Sequence, residues 1–189
     1  MQAMRPEPER TDENLAVRAS RGDQQGFAEL VRRYSGPLYR FLRRYHPEPA
    51  ECDDLFQDTW LGVLTNLHRF DPRLRFSTWL FQIALNRCRD RSRRAWVRGR
   101  YQTGAAGVAV AAQRPSVEEE AEARRVLAAI QELPPMLKEV LLLRYYAGFN
   151  EFDTSEILGC PSGTVKSRLH AAVKALRKTL KQEEFGEGS

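Results

Sequence analysis

GCPSGTVKSRLHAAVKALRKTL, residues 159–180, is the stretch that decides how this chain is read. Gly159, Pro161 and Gly163 fall within five positions, and no acidic side chain follows before Glu183. From there Val165, Leu169, Ala172, Leu176 and Leu180 recur at offsets of 4, 3, 4 and 4, one stripe of an α-helix. Lys166, Ser167, His170 and Lys174 then face away from that stripe, with Arg168 on its flank. A short helix over residues 152–158, a glycine turn and a second helix with an exposed polar start describe a helix-turn-helix. In such a unit the second helix enters a major groove. Lys166 can donate to guanine, and Ser167 and His170 can donate or accept. Thr164 and the helix N-terminus suit a phosphate. An amphipathic helix closing a bundle carries the same stripe, so spacing alone leaves both readings open.

Charge distribution favours a polyanion. Thirty basic and 25 acidic side chains leave a formal charge of +5, but the charges are segregated. Between Arg69 and Arg100 ten arginines stand against two acids, Asp71 and Asp90. Residues 161–181 add six basic side chains and no acid. The acids gather at 51–58 and 118–122. Two basic patches separated by acidic stretches suggest one extended polyanion touched twice. Each patch alone is equally explained as a solvated face.

The remaining pattern is helical. Leu15, Phe27, Leu30, Val31, Tyr34, Leu38 and Phe41 recur at helical spacing, with a break at Gly22-Asp23 and a stop at residues 46–49. A third helix spans about residues 49–67, its apolar face being Phe56, Trp60, Val63, Leu64 and Leu67. A fourth starts near Ser77 as N-cap, with Phe76 and Phe81 as a staple, and turns Trp79, Leu80, Ile83, Ala84 and Cys88 inward. QTGAAGVAVAAQRPSV, residues 102–117, reads as a flexible linker. Behind it come an acidic helix over residues 117–132 and another opening at Pro134-Pro135 with Met136, Leu137, Val140, Leu141 and Leu143 inward. The chain is therefore expected to be all-α, with two small helical domains. Their expected boundaries are a disordered N-terminus (1–12), a front domain (13–98), a linker (99–121), a back domain (122–182) and a disordered tail (183–189).

Three widely spaced cysteines, Cys52, Cys88 and Cys160, argue for a reducing cytoplasm and buried structural thiols. No apolar run approaches the roughly 20 residues that span a bilayer, and the polar first residues are no secretory signal. Membrane insertion, a cofactor and a metal are not expected. Catalysis is not expected either, because Asp53, Asp54 and Asp58 lack a neighbouring His, Lys or phosphate loop.

The residues from Leu133 to Leu180 resemble region 4 of extracytoplasmic-function sigma factors of the sigma-70 family. RGDQQGFAELVRRY, DDLFQDTWLGVLTNLHRF and RFSTWLFQIALNRCRDRSRR resemble region 2 of the same family. The resemblance covers residues 11–181 in order and implies a non-catalytic subunit that binds core RNA polymerase, recognises promoter DNA and helps melt it. It places Asp53, Asp54, Leu55, Gln57 and Asp58 on the polymerase β′ clamp, with Trp60 and Leu64 holding the opposite face in the core, and it implies a further contact with the β flap. It places Arg75, Asn86, Arg87, Asp90, Arg91, Arg93 and Arg94 at the −10 element and Thr164, Lys166, Ser167, Arg168, His170 and Lys174 at the −35 element. An anti-sigma factor is the implied inhibitor.

Two positions depart from the family. Asp153-Thr154-Ser155 stands where Glu-Ile-Ala is common, which suggests a looser helix whose space Phe152 refills. Ala171 stands where some members have a basic residue on the reading face. With its halves loosely tethered, the free protein is expected to bind promoters poorly until polymerase fixes their spacing. A stand-alone helix-turn-helix regulator is the rival reading, and it leaves the front block unexplained.

Overall fold

The computed structural model describes residues 11–97 and 117–186, and in the second segment the side chains of 121–182. Every regular element among these residues is helical. Four helices form the front half: α1 (Asp12–Ser20), α2 (Gln24–Tyr45), α3 (Pro49–Asn66) and α4 (Phe76–Val97). The back half holds α5 (Val117–Gln131), α6 (Pro135–Leu141), α7 (Glu151–Leu158) and α8 (Ser162–Gly186), with a π-helical turn at Leu142–Tyr146 continuing α6.

Local chemistry sets these boundaries. The Thr11 hydroxyl caps α1, and the Asp23 carboxylate accepts from the amides of Gln25 and Gly26 to start α2. Gly22 turns between them at φ 97°, a region that favours glycine. The fourth helix begins at Phe76 rather than at Ser77. The Phe76 amide donates to Glu13 Oε1 at 3.1 Å, so a carboxylate from α1 takes over the capping expected of the serine.

Helix α1 starts at Asp12 and α8 runs to Gly186, so each takes in residues of a stretch expected to be disordered, while α5 starts at Val117, as the helical pattern predicts, within the last residues of the expected linker. The rest of those three segments, residues 1–10, 99–116 and 187–189, lies outside the described residues, as does residue 98 at the end of the front domain.

The front core is built where the spacing placed it, with Leu30, Leu38, Phe41, Phe76, Leu80 and Phe81 almost fully buried. Leu64 is the exception. It is 53% exposed, because α3 turns it to solvent while Leu55, Thr59 and Val63 fill the interior. In the back half Met136 is likewise exposed, and Leu142 is buried beside Leu143.

The two halves are not separate bodies among the described residues. Phe81 of α4 meets Phe149 from the back half edge-to-face, with ring centroids 4.8 Å apart. The Arg44 guanidinium lies 4.3 Å over the Tyr146 ring, and Gln131 Nε2 donates to the Arg44 carbonyl at 2.6 Å. No described helix is long and apolar enough to cross a membrane.

Candidate nucleic-acid interface

Helix α7 is short, and its ends are fixed chemically. Asn150 caps its start, the side-chain oxygen accepting from the Asp153 amide at 2.8 Å. Gly159 ends it in the left-handed region at φ 63°, the conformation a tight helix C-terminus requires. Helix α8 then opens with the amides of Thr164 and Val165 donating to the Pro161 carbonyl at 2.8 and 3.2 Å. Val165 and Ala172 are buried, with Leu169, Leu176 and Leu180 half-buried, so the inward stripe is the one the spacing gives.

The opposite face of α8 is open. Lys166, Ser167, His170 and Lys174 are exposed, and Thr164 and Arg168 lie on the flanks. Lys166 Nζ rests 3.6 Å from Glu151 Oε1, and Arg168 reaches Cys160 Sγ at 3.8 Å. Tyr145, Lys166, Leu169, His170, Lys174 and Arg177 border a groove of about 500 Å³ along this helix. Cationic and hydroxyl-bearing side chains at the N-terminal half of an exposed helix can reach base edges and phosphates.

The departures at α7 resolve differently from the expectation. Phe152 does not refill the core: it is 68% exposed. Thr154 is fully buried, and its hydroxyl donates to the Asn150 carbonyl at 2.7 Å, so the polar atom is satisfied within its own turn. Asp153, also buried, accepts from Asn150 Nδ2 at 2.9 Å and from Arg75 Nη1 at 2.7 Å.

On α4 and just before it, the predicted −10 side chains divide among three directions. Asn86, Arg93 and Arg94 are exposed, and Arg93 bonds Asp90 at 3.0 Å on the same outward face. Arg87 is exposed too but lies across α3 at Gly62, where an added Cβ would come within 3.1 Å of its guanidinium. Arg91 turns to α3 as well, 3.3 Å from Asp54 and 3.9 Å from Asp58. Arg75 points to the back half. Sequence reasoning missed Arg89, whose Nε and Nη2 donate to the two oxygens of Glu139 at 2.9 and 2.7 Å. That pairing raises the guanidinium's pKa. Trp79 is half-buried and stacks at a tilt near Phe70 and Phe76, as a core residue does.

The acidic face of α3 is exposed at Asp53, Asp54, Gln57 and Asp58, with Asp53 accepting from the Tyr39 hydroxyl at 2.9 Å. Leu55 is buried beneath it and anchors the helix, while Leu61 and Leu64 lie exposed on the surface. Each lies seven residues beyond an exposed polar residue, Asp54 and Gln57, which puts them on one face and was legible in the spacing.

Beneath this surface, burial sets the state of the thiols and of one histidine. It pushes Cys88 up and Cys52 to about 11, so both are inert thiols. Cys160 is only half-buried, against the expectation for all three. Burial and then Lys138 hold His46 down at about 4.

Residues 30–98 match the Sigma-70 region 2 family model, and residues 123–176 match the model of Sigma-70, region 4. The chain is 32% identical over 180 residues to RNA polymerase sigma factor NccH of Alcaligenes xylosoxydans xylosoxydans, covering 92% of this chain and 96% of NccH. It is 30% identical to ECF RNA polymerase sigma factor SigW of Bacillus subtilis, over 85% of this chain and 92% of SigW. The solved structure of CnrH in complex with the cytosolic domain of CnrY is similar with a TM-score of 0.71 and 26% identity, covering 90% of this chain and 97% of CnrH.

Proposed function

The chain belongs to the sigma-70 family, and from that membership we propose how its two halves divide the recognition of a promoter. It is an RNA polymerase sigma factor of the extracytoplasmic-function type, a promoter-specificity subunit rather than an enzyme. Its partners are core RNA polymerase, promoter DNA and an anti-sigma factor, and it works in the cytoplasm. The front domain (13–98) docks on polymerase through Asp53, Asp54, Gln57 and Asp58, extended by Leu61 and Leu64 into a face both acidic and apolar. Its α4 reads the −10 element through Asn86, with Arg93 and Arg94 on the strand beside it. An amide can pair with a base edge, and cations grip the backbone while a base leaves the stack.

The back domain (122–182) reads the −35 element with α8. The observation that carries this reading is the open face of that helix, on which Lys166, Ser167, His170 and Lys174 all stand free of the core. Ala171 is exposed on the same side, so one contact is absent there.

The test is transcription in vitro with core polymerase. The protein directs initiation at a defined start site, and a stand-alone regulator does not. Lys166→Ala lowers use of the −35 element by about 1–3 kcal/mol of discrimination and leaves binding to core polymerase intact. Loss of core binding in that variant contradicts the division between the halves.

A further inference from the structure

The chain has three tryptophans, and the fold treats them differently. Trp60 is 8% exposed and meets Phe27 and Phe56 edge-on. Trp79 is half-buried against Phe70 and Phe76. Trp96, in the last turn of α4, is 74% exposed and makes no ring contact among the described residues. Val97 beside it is 72% exposed. Tryptophan is highly buried on average, so an indole standing this open is a surface that a partner can cover.

Its surroundings say which partner. Between residues 87 and 100 there are seven arginines and one acid, Asp90. Arg93 precedes Trp96 by three positions, which makes the two side chains surface neighbours on a helix, and its own side chain is 75% exposed. Arg94 is exposed and makes no ion pair among the described residues. The exposed leucines of α3 stand in the opposite setting, because Leu61 and Leu64 share their helix with Asp54 and Asp58. A ring bordered by guanidinium groups suits a chain in which flat bases alternate with phosphates. In a duplex those bases offer only their edges, in the grooves. Their faces come free when the strand is unpaired.

We propose that Trp96 is a stacking platform for one unpaired base of the opened strand, with Arg93 and Arg94 on the phosphates beside it. The proposal deepens the −10 reading of α4 given above and rests on it. Asn86 and Trp96 are ten residues apart on one continuous helix. That is about 15 Å along its axis at 1.5 Å per residue, the span of roughly four nucleotides at 3.4 Å each. The amide thus addresses a base edge at one end of a short segment, and the indole holds a base face at the other. Trp79 cannot take this part, because its ring is committed to Phe70 and Phe76. The platform carries little sequence information, since every base has a face to stack. Its contribution is to favour the open strand over the paired one, because only the open strand offers that face.

The test uses the full chain at low salt and a short mixed-sequence single-stranded DNA. Adding the strand quenches the tryptophan emission of the wild type, and Trp96→Ala abolishes that response. Fluorescence anisotropy of a labelled strand shows Trp96→Ala binding roughly tenfold more weakly. Trp96→Phe keeps a ring and most of the affinity, whereas Trp96→Leu, apolar but without a π-face, behaves as the alanine variant does. Affinity for the same sequence as a duplex is unchanged in all three. A leucine as good as phenylalanine overturns the proposal, and so does an equal loss on duplex DNA. A thermal midpoint lowered by Trp96→Ala also overturns it, because the ring would then be packed on the chain itself. Asn86→Ala separates this proposal from the reading beneath it. If Asn86→Ala weakens single-strand binding and Trp96→Ala does not, the platform alone is wrong. If neither does, or if the wild type does not bind the strand, the −10 reading falls as well.

Discussion

The two basic patches of this protein are built on opposite plans. On the front half the arginines are mostly engaged: Arg75 with Asp153, Arg89 with Glu139, Arg91 with Asp54, Arg93 with Asp90. On α8 the cations are mostly open. Lys166 lies near Glu151, while Lys174 and Arg177 make no ion pair among the described residues. An open lysine gains a phosphate without giving anything up. A paired arginine must first leave a carboxylate, so its contribution is a difference between two ion pairs. On the proposed function, one patch is open to a phosphate from the outset, and the other is conditional on what happens to its partners.

The comparison breaks first at the junction. Phe81 is buried, lies 5.4 Å from Phe41 in its own half and 4.8 Å from Phe149 in the other. Phe81→Ala is expected to cost about 3–5 kcal/mol, the usual range for a buried phenylalanine. If the halves act as one cooperative unit, urea unfolding followed by circular dichroism shows a single transition shifted as a whole. A back-half transition that stays in place means the halves are energetically separate and the pairs Arg75–Asp153 and Arg89–Glu139 do not couple them.

A smaller effect comes from His46 at the end of α2. Glu51 lies 3.5 Å from Nδ1, the Cys88 carbonyl and the Ser92 hydroxyl lie 3.4 Å from Nε2, and Lys138 and Arg91 act on it from a distance. Its pKa falls to about 4, chiefly through burial, against 6.5 in the unfolded chain. The unfolded state therefore binds the proton first. Stability present above pH 6.5 is lost as pH falls toward 4, by about 2 kcal/mol at pH 5. Lys138, held down to about 8 by burial, is already charged throughout that window and adds no slope. Thermal melts of the wild type and of His46→Gln between pH 7 and pH 5 give the difference, and equal acid losses refute it.

Helical periodicity made most of the architecture legible, and the places where it failed share a cause. A stripe such as Val165, Leu169 and Ala172 repeats within one helix and needs no knowledge of anything else. Leu64 was misplaced because α3 is apolar around much of its circumference and the inward direction was set by Val63 and Thr59. Thr154 looked like a flaw in a helix, although its hydroxyl is satisfied within its own turn, and the role of Asp153 was hidden because its partner is Arg75, 78 positions earlier. Glu139 and Arg89 are 50 apart. Which outward carboxylate the other half will cover is a property of docking, and no local pattern encodes it. The exposed face of α8 was readable for the complementary reason: among the described residues its side chains stand open.

The finest test of the contrast lies in salt. Each phosphate neutralised by a cation adds about 0.9 to the slope of log K against log salt. Lys174→Ala removes an exposed cation that holds no carboxylate, so stability changes by less than about 0.5 kcal/mol while the slope for duplex DNA falls by about one. Arg91→Ala behaves differently. Its guanidinium already sits beside Asp54 and Asp58, and binding exchanges a carboxylate for a phosphate with little net release of ions. The slope should change by well under one unit. Salt titrations of both variants, by fluorescence anisotropy on one duplex, put the two plans side by side. Equal slopes would mean that Arg91 leaves its carboxylates as freely as Lys174 leaves water, and that the division between an engaged and an open patch ends at the surface of the free protein.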